Sequence, residues 1–151
     1  MKKSLVGLLA ALSLSVFPGI MRATNEQPSQ PWQAPDDTKK MKNPVLLTSR
    51  GLMIASDPYE QKCVLCHGEA GGGDGPAAQL LARKPANFTD AKRMSRVTDG
   101  ELFWKMSTGR GEMPSWQAGL SETERWQMVS YLRVLTTYGL YGYLGKPIPN
   151  R

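Results

Sequence analysis

Both cysteines of the chain and its lone histidine fall within five residues, Cys63-Val64-Leu65-Cys66-His67. The pattern C-x-x-C-H is a signature of covalent haem attachment. Two thiols one helical turn apart can each add across one vinyl group of a porphyrin, and the adjacent imidazole then turns beneath the ring to bind iron. Three other chemistries use paired cysteines. A disulfide across two residues would remove little chain entropy. A redox pair belongs beside alternating strands and helices, and zinc needs a second ligand pair that the chain lacks. The motif therefore predicts one haem c, attached through Cys63 and Cys66, with His67 on the iron.

No second histidine exists for the opposite face of the iron, so methionine is the natural sixth ligand. Eight methionines compete. Met1 and Met21 belong to the leader, Met41 to a polar arm and Met53 to a helix before the motif. Met94 lies in the basic run Lys92-Arg93-Met94-Ser95-Arg96, and Met106 and Met128 fall on apolar helix faces, where methionine usually fills a core. Met113 differs. Gly109-Arg110-Gly111-Glu112 leads into it and Pro114 follows, an irregular loop between two helices that can aim a sulfur at iron.

The elements that must position these groups are helical. Thr98 and Glu101 form a capping box before a helix of about three turns that Gly109 ends, with Leu102, Phe103 and Met106 on one side. Ser121 and Glu124 cap the last helix, where Met128, Tyr131, Leu132 and Leu135 recur at i, i+3, i+4 and i+7. A first helix is expected over Val45 to Ser56, broken at Asp57-Pro58 because the residue before proline leaves helical geometry. Asp57 and Glu60 would then cap a short helix running into Cys63. Gly68 to Pro76 reads as a glycine-rich loop turning tightly around a bulky neighbour, and Pro76 to Arg83 as a brief helix. Nothing resembles a strand, so the fold class is all-α.

Lys2, Lys3 and the apolar run from Leu5 to Phe17 mark residues 1–23 as a signal peptide, or as an uncleaved anchor, which sends the chain out of the cytoplasm. Leu5 to Met21 is at the lower limit for spanning a bilayer, which takes at least ~17 residues. Residues 24–43 are a polar, Pro-rich arm. The domain is expected over 44–135, and the Tyr/Gly-rich segment 136–151 reads as a tail. Removing residues 1–23 would leave 16 basic against 13 acidic side chains, or +3 in place of the formal +6. Two haem propionates would lower that further, which argues against a nucleic-acid partner.

From about Pro44 to Leu135 the chain resembles the small monohaem cytochromes c with histidine and methionine ligands. The resemblance rests on Cys63 to Gly68, Gly73-Asp74-Gly75-Pro76, Pro85-Ala86-Asn87-Phe88-Thr89-Asp90, Met113-Pro114 and the run from Glu124 through Arg133, in the family's order. It implies helices packed around one covalently bound haem exposed at one edge. The first and last helices would cross through a small residue, Ala55 or Gly51, and an aromatic one, Tyr131. A proline carbonyl would accept the hydrogen bond from the ligand histidine; Pro85 matches that position, with Pro76 the alternative. Trp116 is the tryptophan expected against the porphyrin.

Such a chain is expected to transfer single electrons in an extracytoplasmic, periplasmic respiratory or photosynthetic chain, and not to be an enzyme by itself. Its partners would be a redox protein donor and acceptor, among them a membrane-bound respiratory complex, with no small-molecule substrate. Free carrier and fixed subunit both remain open, the two extensions allowing the second. The rival is a haem-based gas or peroxide sensor or catalyst in which Met113 is displaceable and Glu112 or Arg110 serves as the polar group. Arg83, Lys84, Lys92, Arg93, Arg96, Lys105 and Arg110 face only Asp90, Asp99 and Glu101 between residues 83 and 110, a stretch of +4 (7 minus 3). Charge runs are usually solvated surface, but near an exposed haem edge this one would steer an acidic partner.

Overall fold

The computed structural model describes residues 31–143, with side chains through residue 138. Among these the regular structure is helical: α1 (Asp36–Lys40), α2 (Ser49–Lys62), α3 (Val64–His67), α4 (Ala91–Met94), α5 (Asp99–Thr108) and α6 (Glu122–Tyr143), with one tight helical turn at Ala78–Leu80. The strand-like pairing among the described residues is a single antiparallel bridge, Arg110 to Met113. The fold is all-α. The expected leader and the first part of the arm lie outside the described residues, as do 144–151.

The core is built where α2 crosses α6. Gly51, Ala55 and Tyr59 recur every fourth residue and are buried, so α2 presents a narrow stripe that lets the helices approach. Tyr59 meets Tyr131 of α6 with ring centroids 5.1 Å apart, and Ala55 is 1% exposed. Both small residues suggested for the crossing serve it, Gly51 opposite Gln127.

The break expected at Asp57-Pro58 does not occur. Thr48 caps α2, its Oγ1 accepting from Gly51 N at 3.0 Å, and the helix runs through Pro58 to Lys62. A proline inside a helix costs about 3 kcal/mol or more. Burying Ala55 and Tyr59 on either side of it against α6 outweighs that local penalty, as tertiary packing commonly does.

Both later caps form. Thr98 Oγ1 accepts from Glu101 N at 3.2 Å, although the Glu101 carboxylate turns to Lys105 at 2.6 Å instead of back to the cap. At α6 the box is reciprocal: Ser121 Oγ accepts from Glu124 N at 3.3 Å and Glu124 Oε2 accepts from Ser121 N at 2.8 Å. The Ser121 hydroxyl, donating to the same Oε2 at 2.7 Å, and the Ser121 N–H hold the Glu124 carboxyl below its usual range. The helix then continues past Leu135, where a tail was expected, to Tyr143. The apolar period lapses there but the helix does not; the hydroxyls of Thr136 and Thr137 bond back to the carbonyls of Leu132 and Arg133. Arg133 joins three helices, donating to Asp99 Oδ1 and to the carbonyls of Met94 and Val97.

The folded part also begins earlier than Pro44. Residues 32–43, expected as an extended arm, form a strap: Ala34 is 3% exposed, α1 lies against α5, and Asn43 Nδ2 donates to Trp126 O at 3.0 Å and Ser130 Oγ at 2.9 Å. Periodicity could not reveal it, because a five-residue helix has no apolar face to read. The close approach depends on Gly100, where a Cβ would stand 1.8 Å from the carbonyl oxygen of Thr38. Gly100→Ala should therefore lower stability by about 1–3 kcal/mol, seen as a reduced thermal midpoint. Gly119→Ala, whose nearest contact would be an ordinary 3.7 Å, should leave it unchanged.

Candidate functional site

α3 is a single turn that places Cys63, Cys66 and His67 together: Cys63 O accepts from both Cys66 N at 3.1 Å and His67 N at 2.8 Å. The glycine loop after it folds back, with Gly73 N on His67 O at 2.8 Å and Gly75 N on Cys66 O at 3.2 Å. His67 stacks on buried Phe88, ring centroids 4.6 Å apart at 20°, and its Nδ1 lies 3.1 Å from the carbonyl oxygen of Ala86. Burial pushes the imidazole pKa below its usual value, the Ala86 bond opposing, so the neutral ring is favoured. A neutral imidazole donating from Nδ1 leaves the Nε2 lone pair for a metal.

That carbonyl belongs to Ala86, not to Pro85 or Pro76 as the resemblance implied. Gly73, at φ +76°, packs closely against this segment: a Cβ on it would meet Pro85 O at 2.7 Å and Ala86 O at 3.3 Å. The bond Phe88 N to Gly71 O at 2.7 Å sets the register, and Ala86 O is left facing the imidazole.

Met113 sits on the loop between α5 and α6. Gly109, at φ +64°, ends α5, and Arg110 and Met113 exchange both backbone bonds, at 2.8 and 3.1 Å. Trp116 N returns to Met106 O at 3.0 Å. Ser115 Oγ donates to Ser107 O, and buried Arg125 donates to the Ser107 hydroxyl. Glu112 Oε1 accepts from Ala82 N at 3.0 Å, tying this loop to the segment that carries Pro85. Met94, Met106 and Met128 are buried in the core, while Met41 and Met53 are exposed.

Cys63, Cys66, His67, Pro85, Met113 and Trp116 all line one cavity of about 560 Å³, within the roughly 300–1,000 Å³ of cofactor pockets. Sequence reasoning missed three contributors. Phe88 beneath His67 could have been suspected from its place after the proline segment. The Ala86 carbonyl could not, since any residue supplies one. Trp32, on the strap, also lines the cavity; its one signal was a large aromatic ring between prolines in a polar run.

A family model described as cytochrome c oxidase, cbb3-type, subunit III, matches residues 55–132. The chain belongs to this family. A c-type cytochrome domain of this kind binds haem c covalently and transfers electrons. Among solved structures, a chain of the reducing HAO-like protein complex of Kuenenia stuttgartiensis is similar, with 30% identity over 63% of this chain and a TM-score of 0.52. The match spans about half of that neighbour, 49% of its length. No match was found among curated proteins.

The residues of this cytochrome domain fit such a group. Both thiols are free, and burial, with Cys66 next, pushes the Cys63 thiol up to about 11, the opposite of the lowered value that makes a redox pair reactive. Among the described residues no three His, Cys, Asp or Glu side chains converge as a metal-ion cage. The cavity wall also carries Lys62, Arg83, Lys84, Arg93 and Arg110 against Glu112 alone, a charge that suits a ligand bearing carboxylates.

Gly73 sets the seat of His67. Gly73→Ala combines a positive φ with a 2.7 Å contact on Pro85 O and should cost about 1–3 kcal/mol. The cytochrome should melt earlier, and the nitrogen NMR signal of His67 Nδ1 should move as the Ala86 carbonyl is displaced. An unchanged signal would mean that another contact orients the ring.

Proposed function

We propose that the chain carries one haem c, joined to Cys63 and Cys66 and ligated by His67 and Met113, and serves as a single-electron relay. The observation that carries this reading is that the histidine, the loop methionine and both thiols line one cavity, although 45 residues of loop and helix lie between His67 and Met113 in sequence. Bound there, haem c supplies an iron that gains and loses one electron, and a methionine ligand raises its potential.

The protein's own groups do the rest. Burial favours the neutral form of His67, and Ala86 O and Phe88 aim its ring. Met113 is presented by a loop braced to α5, to Arg125 through Ser107, and to Ala82. Such bracing favours a fixed ligand over the displaceable one that a gas or peroxide sensor needs, and Glu112, the acid that reading would use, is engaged with Ala82 N. The cationic wall offsets propionate charge.

The family description and the neighbour's place in a protein complex support redox proteins as donor and acceptor, with this chain a subunit or a carrier between them. An extracytoplasmic site of action is supported by the apolar run from Leu5 to Phe17 behind Lys2 and Lys3. No helix among the described residues is long and apolar enough to cross a membrane. Of the seven cations in the basic stretch, Lys105 pairs with Glu101. Arg83, Lys84, Arg93 and Arg110 surround the cavity, where they favour an acidic docking face on the partner.

Met113→Ala should lower the reduction potential and let carbon monoxide bind the ferrous protein; an unchanged spectrum would assign the sixth position to another residue. Cys63→Ala and Cys66→Ala should each weaken covalent haem on denaturing gels stained for haem. Full staining of the double variant would end the attachment reading.

A further inference from the structure

We propose that Trp32 is a wall residue of the haem pocket, carried there by the N-terminal strap, and that this ring helps close the cavity that Met113 lines. The proposal rests on the haem reading above and extends it to a segment outside the family match, which begins at residue 55.

The strap is seated at several points. Ala34 is buried, Thr38 O fills the space beside Gly100, and Asn43 binds the backbone of Trp126 and the hydroxyl of Ser130. Trp32 is thereby brought to α5, its ring centroid 6.4 Å from that of Trp104 and 5.5 Å from Lys105 Nζ. Lys105 is itself held by Glu101, so the cation over the indole is fixed. One side of the ring is accounted for by α5.

Trp32 also lines the cavity, along with residues of the haem motif, the Pro85 segment and the Met113 loop. It is half-buried. A plain packing residue has no reason to reach the space that holds His67 and Met113. An indole suits such a wall, since it offers a broad apolar face and keeps one N–H donor for a polar rim. Its effect would be to exclude water and external ligands from the iron, a positioning role exerted through the pocket.

The test uses the full-length holoprotein. In the reduced wild type, proton NMR should show nuclear Overhauser contacts between the Trp32 indole and haem substituents. In the ferric protein, imidazole competes with the methionine ligand. Trp32→Ala should lower the imidazole dissociation constant about tenfold, the fold-change expected from losing one aromatic contact, and Trp32→Phe should restore most of it. A ring that merely held the strap would show neither the haem contacts nor rescue by phenylalanine. If the wild type takes up no haem, the haem reading falls and this proposal with it. If haem is held with methionine ligation but Trp32 makes no contact and Trp32→Ala binds imidazole as the wild type does, the strap proposal alone is overturned.

Discussion

The hydrogen bond between His67 Nδ1 and the Ala86 carbonyl is the constraint on which the site depends. A haem-binding histidine must be neutral, must carry its proton on Nδ1 and must not rotate. The carbonyl answers the second and third needs, fixing the proton on Nδ1 and the direction of the ring, while burial favours the neutral form against its pull. Bringing that carbonyl to 3.1 Å requires the chain after the motif to double back, which is why the glycine loop bonds to His67 O and Cys66 O and why Phe88 N bonds to Gly71 O. The loop is a consequence of where one oxygen must go.

Around that point the helices act as a frame. Tyr59, 0% exposed, donates its hydroxyl to Gly68 O at 2.8 Å, and burial raises its pKa well above the usual phenol value. The crossing of α2 and α6 is thus joined directly to the residue after His67. On the other side, Trp126 stacks on Phe103 at 4.1 Å and Arg125 lies over the same ring at 4.8 Å. From there Arg125 reaches Ser107, against which Ser115 is fixed. Each end of the site therefore traces to α6, so the packing that stabilises the fold also sets the distance between the segments that carry His67 and Met113.

Much of this was legible where chemistry is local. The caps at Thr98 and Ser121 form where residue type and spacing place them, and the haem motif and Met113, singled out in the same way, line one cavity. Three features were not. Pro58 lies inside α2 because long-range burial of Ala55 and Tyr59 prevails over a local rule. Ala86 replaces Pro85 because a backbone carbonyl has no side chain to advertise it, and its direction depends on the space at Gly73. The strap hides because its contacts are single residues, Ala34, Thr38 and Asn43, each meeting a distant helix.

The charge around the cavity has a consequence for how the site can work. Five cations and one carboxylate on the wall of a largely apolar pocket favour an anionic occupant, and beside a haem they would stabilise the added electron of its reduced state. Burial of a charge-changing centre is costly unless nearby charge offsets it. Here the offset would come from Lys62, Arg83, Lys84, Arg93 and Arg110, all solvent-exposed, while Met113 and Trp116 on the same cavity wall carry no charge. A neutral interior within a cationic rim keeps the cost of changing oxidation state low and leaves the field that an approaching partner meets outside the pocket, at the surface where docking must occur.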